Sequence, residues 1–244
     1  MLIKWAEIYA NTEVLSPIDR ETWQLIAETS RIGQGSKVIE LASGKGAFAI
    51  YLARRFWCNV DGYDINPEFT QYATNRAKEL GLTTRTSFPQ TDINRIEVKP
   101  DSYDLGACLG ALYIFRDAGW KLLFRGVKPK GYMAVSDLVC KKVPAPQEVM
   151  DIFFEEASQP LTLEDARRWY TSRGVKILRE VECSRKAWLE YYGLTKQMLN
   201  QVANKYSSDT DKQAELREAF REDELVKRFG EEYLNYVTFV MQKA

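Results

Sequence analysis

Histidine is absent from this sequence of 244 residues. Its absence excludes Ser-His-Asp and Cys-His nucleophilic catalysis, metal sites ligated by histidine, and a histidine general base. Any proton transfer therefore has to use carboxylates, tyrosine, lysine, cysteine or water.

Cysteine is scarce and dispersed. The four cysteines, Cys58, Cys108, Cys140 and Cys183, form no C-x-x-C pair and no cluster with metal-ligand spacing. This spacing predicts buried free thiols in a reducing cytoplasm and no metal centre.

Excess charge and long apolar runs are also missing. The 34 Lys and Arg residues balance 34 Asp and Glu residues, which argues against binding nucleic acid through bulk positive charge. The most apolar window, Leu105–Phe115, has 11 residues and is too short to span a bilayer. Charged and polar residues occur too close to the N-terminus for this segment to be a signal peptide. We therefore expect a cytoplasmic protein without a nucleic-acid partner or a membrane span, and monomer and homodimer both stay open.

Apolar stretches alternate with helical patterns over the first two thirds of the chain, which is typical of βαβ units and a mostly parallel sheet. The expected fold is therefore a doubly wound α/β domain. Strands are predicted over Lys37–Leu41, Asn59–Asp64, Thr84–Phe88, Tyr103–Cys108, Tyr132–Leu138, Val175–Val181 and Tyr233–Met241. Helices are predicted around Trp23 to Ala27, after the turn at Ser43 to Gly46, from Asn66 to Leu80, from Trp120 to Val127, and from Thr162 towards Gly174.

A glycine turn and two acidic strand ends form the strongest motif. Glu40 lies near the end of the first strand, and Gly44 and Gly46 allow the following turn to pass close to a ligand. The helix after the turn directs backbone N–H groups at the same place. Asp64 ends the second strand, where a carboxylate can accept both hydroxyls of an adenosine ribose.

Two ligand classes fit such a turn. Ala42-x-Gly44-x-x-Ala47 matches a degenerate dinucleotide pattern, so a nicotinamide-dependent oxidoreductase is one interpretation. Glu40 favours the other, because a carboxylate before the turn repels a pyrophosphate but suits an amino group and a sulfonium cation. S-adenosylmethionine carries both.

The segment Glu40-Leu41-Ala42-Ser43-Gly44-Lys45-Gly46 resembles the first motif of the class I S-adenosylmethionine-dependent methyltransferases, with Ala42 in place of the usual first glycine. Val127 to Tyr132 resembles the family's turn before strand five. The resemblance implies a seven-stranded Rossmann-like sheet with an antiparallel last strand. It also implies that Asp64 binds the ribose, that Asp92 binds the adenine amino group, and that Leu109 and Gly110 close over the methionine end. The implied donor-binding set is Glu40, Ala42, Ser43, Gly44, Gly46, Asp64, Ile65, Asp92, Ile93 and Leu109, whereas Lys45 is expected at the surface.

Changes in the sequence pattern divide the chain, taken as one domain over residues 1–244, into segments. Residues 1–36 are expected to form an N-terminal helical cap, and residues 37–143 the core that binds the donor. A lid and a helix are expected over residues 144–174, with the apolar and acidic stretch Val149 to Ala157 inside the lid. A helical insertion is expected over residues 184–230, before the last strand.

The acceptor class follows from motifs that are missing. Strand four is not followed by Asn/Asp-Pro-Pro-Tyr/Phe, and there is no Pro-Cys nucleophile, so methylation of nucleic-acid bases is not expected. The resemblance points to the small-molecule branch, in the broad group of ubiquinone-type enzymes. A non-catalytic module that binds S-adenosylmethionine is a further alternative.

Candidate acceptor residues follow from the topology, because ligands in open α/β sheets lie beyond the carboxyl ends of the strands. Tyr113 and Asp137 follow or close such strands and are weak catalytic candidates. For Asp137, a general base and a structural hydrogen bond are equally plausible. The substrate-binding candidates are Tyr9, Tyr113, Trp188, Tyr191 and Tyr192, and each of them could instead be ordinary packing. Methyl transfer itself needs mainly alignment and exclusion of water.

Overall fold

A computed structural model describes residues 5–154 and 161–244, apart from the side chain of Trp5. The strands are β1 (Lys37–Leu41), β2 (Asn59–Tyr63), β3 (Thr86–Ser87), β4 (Tyr103–Leu109), β5 (Val127–Cys140), β6 (Val175–Glu182) and β7 (Leu234–Lys243). The helices are α1 (Trp5–Ile8), α2 (Arg20–Thr29), α3 (Ala47–Phe56), α4 (Pro67–Glu79), α5 (Arg116–Gly126), α6 (Gln147–Phe153), α7 (Leu163–Thr171), α8 (Arg185–Lys205) and α9 (Thr210–Tyr233). Residues 155–160 of the expected lid lie outside the described part of the chain.

The strands form one seven-stranded sheet in the order β3-β2-β1-β4-β5-β7-β6. Pairing is parallel from β3 through β5, and β7 runs antiparallel to both of its neighbours, β5 and β6. The carboxyl ends of β1, β2, β4 and β5 therefore meet at one edge of the sheet. The predicted fold class, with its antiparallel last strand, is confirmed.

Helices cover both faces of this sheet and bury its apolar side chains. One face packs against α2, α3 and α4 through residues such as Trp23, Leu52 and Ala73. The other packs against α5 and α7 through residues such as Leu123 and Tyr170. The near-continuous apolar runs of β1 and β4 are explained by this burial on two sides.

Several helices begin or end at the capping residues that the sequence predicted. The Asn66 side chain accepts hydrogen bonds from the N–H groups of Glu68 and Phe69 and caps α4, with Pro67 in its first turn. Gly81 follows that helix in the left-handed region, at φ +68°. Thr162 and Asp165 form the predicted capping box of α7.

Two predicted strand boundaries were wrong. β3 has only two residues, Thr86 and Ser87. β5 extends from Val127 to Cys140, because it pairs with β7 along its whole second half. The predicted turn at Lys128 to Gly131 is an irregularity inside β5, where the register with β4 shifts and Lys130 has φ +62°. Asp137 consequently lies within the strand and does not close it.

The helical insertion is a hairpin made of α8 and α9, which pack on each other through Val202 and Leu216. β6 ends and β7 begins at the carboxyl edge of the sheet, so both ends of the hairpin are fixed there. None of the helices in the described residues is both long and apolar enough to cross a membrane.

The turn before α3 leaves no room for a side chain at Gly46. A Cβ atom there would lie 2.7 Å from a ring atom of Phe88 and 2.9 Å from Cβ of Ala73, at φ +73°. Gly81 shares the left-handed conformation at φ +68°, but a Cβ atom there would meet nothing within 4 Å. An alanine at Gly81 would therefore add backbone strain alone, whereas an alanine at Gly46 would add both backbone strain and steric overlap.

We expect Gly81→Ala to lower the free energy of unfolding by about 1 kcal/mol, from backbone strain alone. Gly46→Ala should lower it by about 2–4 kcal/mol, because overpacking adds about 1–3 kcal/mol. Urea denaturation of both variants measures the difference. Equal losses would show that Phe88 and Ala73 move aside at no cost.

Candidate functional site

A cavity of about 240 Å³ lies at the carboxyl edge of the sheet, above the glycine turn. The turn and the strand ends form its floor, with Glu40, Ala42, Ser43, Gly44, Lys45, Asp64 and Leu109. The segment between α1 and α2 forms its roof, with Tyr9, Glu13, Val14, Leu15 and Ser16. Gly110, Ala111 and Ile114, after β4, also contact it. Six of the ten predicted donor-binding residues thus share one cavity with Tyr9.

Asp64 fastens the glycine turn to the end of β2. One of its carboxylate oxygens accepts a hydrogen bond from the N–H of Gly44 at 2.7 Å, and the other accepts from the N–H of Asn66 at 2.8 Å. Burial raises the pKa of Asp64, and these backbone N–H groups oppose that rise. The carboxylate is therefore oriented by the backbone while it lines the cavity.

Glu40 is an acidic group at this site with an unsatisfied buried oxygen. Its side chain is buried, and its Oε2 atom has no hydrogen-bond partner among the described residues. Burial raises the pKa of Glu40 to about 8, the N–H of Ala49 opposes this shift, and the charge of Asp64 adds to it. The hydroxyl of Ser43 is likewise buried and unpartnered. Unsatisfied buried polar atoms in a cavity indicate places for ligand donors and acceptors.

Lys45 does not lie at the surface as predicted. Its side chain is buried, and its Nζ donates to the backbone carbonyls of Tyr9 at 2.6 Å, Ala10 at 3.1 Å and Thr12 at 2.8 Å. Nζ also lies 4.7 Å from the centre of the Tyr72 ring. Lys45 thus joins the glycine turn to the roof of the cavity. No motif in the sequence indicates this, because the acceptors are backbone atoms far away along the chain.

Four predicted donor-binding residues lie outside the cavity lining. Gly46 is behind the turn against Phe88, Ile65 is 65% exposed, and Ile93 packs against the core. Asp92 is half-buried and accepts from the backbone and side-chain nitrogens of Asn94. Asp92 still lies close to Asp64, because Gln90 forms a bridge with Asp64 and the N–H of Thr91 donates to its carbonyl.

Asp137 belongs to a buried ion-pair network away from the cavity. It is fully buried, and its two carboxylate oxygens accept hydrogen bonds from Arg116 at 2.8 Å and from the hydroxyl of Tyr170. Burial raises its pKa, and Arg116 and Tyr170 oppose that rise. This arrangement favours the structural role that the sequence left open over that of a general base.

The aromatic candidates divide between core and site. Trp188 is buried, and its ring packs on those of Tyr192 at 4.8 Å and Tyr236 at 6.2 Å. The hydroxyl of Tyr191 lies 3.2 Å from that of Tyr9, so α8 reaches the roof of the cavity. Tyr113 is 45% exposed and does not line this cavity.

Residues 32–223 match the model of a family described as a methyltransferase domain. The chain belongs to this methyltransferase family. The resemblance carried by residues 37 to 138 is therefore confirmed at the level of the family.

Similar proteins agree with this membership. Over 180 residues the chain is 27% identical to the uncharacterised protein YjhP of Escherichia coli K12, an alignment that covers 72% of each chain. It is 24% identical over 143 residues to phosphoethanolamine N-methyltransferase 1 of Arabidopsis thaliana, which covers 58% of this chain and 28% of that protein. The crystal structure of an S-adenosylmethionine-dependent methyltransferase from Thiobacillus denitrificans, in complex with S-adenosylhomocysteine, has the same fold. Its TM-score is 0.86 at 21% identity, with 100% of both chains covered.

We expect Lys45→Met to release the roof of this methyltransferase from the glycine turn. Methionine keeps most of the apolar side chain but donates no hydrogen bonds, so residues 9–12 should lose protection in hydrogen–deuterium exchange. Hydrogen bonds from charged groups contribute about 1.5–3 kcal/mol, so global stability should fall by a similar amount. The control is Lys78→Met, at an exposed position on α4. Unchanged exchange in residues 9–12 would show that other contacts hold the roof.

Proposed function

We propose that this protein transfers a methyl group from S-adenosylmethionine to a small-molecule acceptor in the cytoplasm, with the donor in the cavity above the glycine turn. The observation that carries the assignment is the buried carboxyl group of Glu40, whose Oε2 atom has no hydrogen-bond partner among the described residues, beside Asp64 at the ends of adjacent strands. Two acidic groups in the floor favour the cationic donor, which stabilises their ionised forms, over the pyrophosphate of a nicotinamide cofactor. Family membership also opposes the nicotinamide alternative.

The donor fits the groups that line the cavity. Glu40 and the hydroxyl of Ser43 would hold the methionine end, because their buried polar atoms lack partners among the described residues. Asp64 would hold the ribose, and Asp92 and Ile93 would lie beside the adenine. Leu109 and Ala42 would supply apolar contacts, and Ile65 is the exposed neighbour of Asp64 on the same loop.

The reaction needs alignment more than acid or base chemistry. S-adenosylmethionine, when bound, supplies a methyl group made electrophilic by the neighbouring sulfonium. Tyr9, Leu15 and Ser16 roof the cavity and would exclude water from the reacting atoms. Good alignment of two reactants is worth about 7–11 kcal/mol of the barrier. A sequence without histidine is sufficient for such chemistry.

A small-molecule acceptor is supported by the phosphoethanolamine-methylating relative named above. Membership in the ubiquinone-type group stays a prediction. A module that binds the donor without catalysis would differ in one measurable respect, because it would never form S-adenosylhomocysteine.

The first test is calorimetric titration of the protein with S-adenosylmethionine, with NAD as the control ligand. We expect micromolar binding of S-adenosylmethionine and none of NAD. Asp64→Asn should weaken donor binding about tenfold or more, since it removes a charged hydrogen-bond acceptor. Binding of NAD alone would contradict the proposed function.

A second prediction concerns the proton that Glu40 releases when the donor binds. Its pKa of about 8 keeps it mostly protonated at pH 7 in the free protein. A bound cation favours the carboxylate, so donor binding at pH 7 should release close to one proton, and the release should fade above pH 8. Titrations in buffers of different ionisation enthalpy measure it.

Glu40→Gln should abolish the proton release and weaken binding. The matched control, Glu21→Gln at an exposed position on α2, should change neither. Proton release that persists in Glu40→Gln would assign it to another group.

A further inference from the structure

A second cavity, of about 330 Å³, is formed by α2, α3, α4 and the roof segment. Pockets that hold small molecules have volumes of about 300–1,000 Å³, so this one is large enough for such a ligand. We call it the basic cavity, because its lining has five cationic side chains and one acidic side chain. The cationic residues are Arg20, Lys45, Arg54, Arg55 and Arg76, and the acidic residue is Glu13.

The basic cavity is next to the donor cavity but extends in another direction. The residues that line both are Glu13, Val14, Trp23, Lys45 and Ala47. From there the donor cavity continues over the carboxyl edge of the sheet, whereas the basic cavity continues between α3 and α4. The strand-end acids Glu40 and Asp64 line the donor cavity alone. The acidic floor and the cationic lining therefore face two different spaces.

Most of the positive charge in the basic cavity is uncompensated. Within the part of the chain that the structure describes, Arg20, Arg54 and Arg55 form no hydrogen bond or ion pair with an acidic side chain. Lys45 is engaged by the three carbonyl groups of the roof segment. Guanidinium groups that surround one space repel each other, and an anion in that space reverses the effect.

Glu13, from the roof, already occupies part of the basic cavity in the way an anionic ligand would. Its Oε1 atom accepts a hydrogen bond from the hydroxyl of Tyr72 at 2.9 Å and lies 3.4 Å from Nε of Arg76. Arg76 also pairs with Glu79 at 3.0 Å. A guanidinium and a phenol hydroxyl on α4 are thus positioned to bind an acidic oxygen, and the chain itself supplies one.

The remaining wall of the basic cavity is apolar and aromatic. Its residues are Val14, Trp23, Ala47, Ile50, Tyr51, Tyr72 and Leu80. The rings of Trp23 and Tyr51 pack on each other, with centroids 5.5 Å apart. The indole N–H of Trp23 is buried and has no hydrogen-bond partner among the described residues. A flat apolar group can pack on these rings while an acidic group attached to it meets the guanidinium groups.

We propose that the basic cavity binds a small phosphomonoester with a flat apolar body, and that this ligand competes with Glu13 for Arg76. Arginine binds phosphate through paired N–H donors. A phosphomonoester carries about 1.5–2 negative charges at pH 7, so it offsets more of the positive charge than one carboxylate does. The ligand binds whether or not the donor cavity is filled. Because Glu13 belongs to the roof, the ligand and the roof use the same guanidinium group.

The test uses three naphthalene probes that differ in charge. 1-Naphthyl phosphate carries the most negative charge, 1-naphthoate carries one negative charge, and 1-naphthol is neutral. In calorimetric titrations at pH 7 the affinity should fall in that order, by about tenfold at each step, because each step removes charge-assisted hydrogen bonds. Added salt should weaken binding of the phosphate and leave that of the alcohol unchanged.

The phosphate titration is repeated in protein saturated with S-adenosylmethionine, which blocks the donor cavity. The probe should still bind. If S-adenosylmethionine abolishes its binding, the probe occupies the donor cavity and the proposal is overturned. The affinity for S-adenosylmethionine is measured without the probe, so failure of this site and failure of the proposed function are separate results.

Two substitutions in the basic cavity should act in opposite directions. Arg54→Gln should weaken binding of 1-naphthyl phosphate about tenfold, because it removes a charged donor. Glu13→Gln should strengthen it about threefold, because it removes the carboxylate that competes for Arg76. The matched control, Arg217→Gln at an exposed position on α9, should leave the affinity unchanged.

The gain of affinity in Glu13→Gln is the most discriminating result, because damage to the fold would only weaken binding. Weaker binding in Glu13→Gln would show that Glu13 helps to build the site, and it would overturn the competition with the roof. No binding of 1-naphthyl phosphate, equal affinity for the three probes, or an unchanged phosphate affinity in Arg54→Gln would overturn the proposed site.

Discussion

The hydrogen bonds from the Lys45 ammonium to three carbonyl groups connect the two halves of the donor cavity. The floor is built from strand ends that the sheet itself holds in place. The roof, around Tyr9 to Ser16, belongs to a segment before the first strand and is not itself a strand of the sheet. Lys45 fixes that segment to the glycine turn, and Tyr9 then meets α8. The contact between Tyr9 and Tyr191 on α8 therefore depends on hydrogen bonds made at the glycine turn.

Charge compensation separates the structural acids from the functional ones. Asp137 is buried with Arg116 as its partner, and removing the partner of a buried charge typically costs about 3–5 kcal/mol. Glu40 has no such partner among the described residues, and burial raises its pKa. An uncompensated carboxylate weakens a fold unless a ligand uses it. The position of Glu40 in the floor of the cavity matches a cationic donor.

Sequence analysis correctly predicted the features that depend on residues close together in the chain. β1, the Asn66 cap with its Gly81 stop, and the capping box at Thr162 depend on residues a few positions apart, and they were placed correctly. The floor acids Glu40 and Asp64 were found because they belong to a motif of fixed spacing. The role of Lys45 and the pairing of Asp137 with Arg116 depend on contacts between residues that are far apart in the chain. The length of β5 was missed for the same reason, since β7 determines it.

The direction of β7 also has a consequence for how the α8–α9 hairpin can change. Because β7 alone is antiparallel, the chain leaves the sheet after β6 and returns to it at the same edge. The hairpin of α8 and α9 can therefore lengthen, shorten or be exchanged without shifting the register of any strand. Tyr191, which meets Tyr9 in the roof of the cavity, lies in that exchangeable piece, whereas Glu40 and Asp64 lie at the ends of fixed strands. The side of the roof that α8 supports can thus change while the floor of the cavity keeps its geometry.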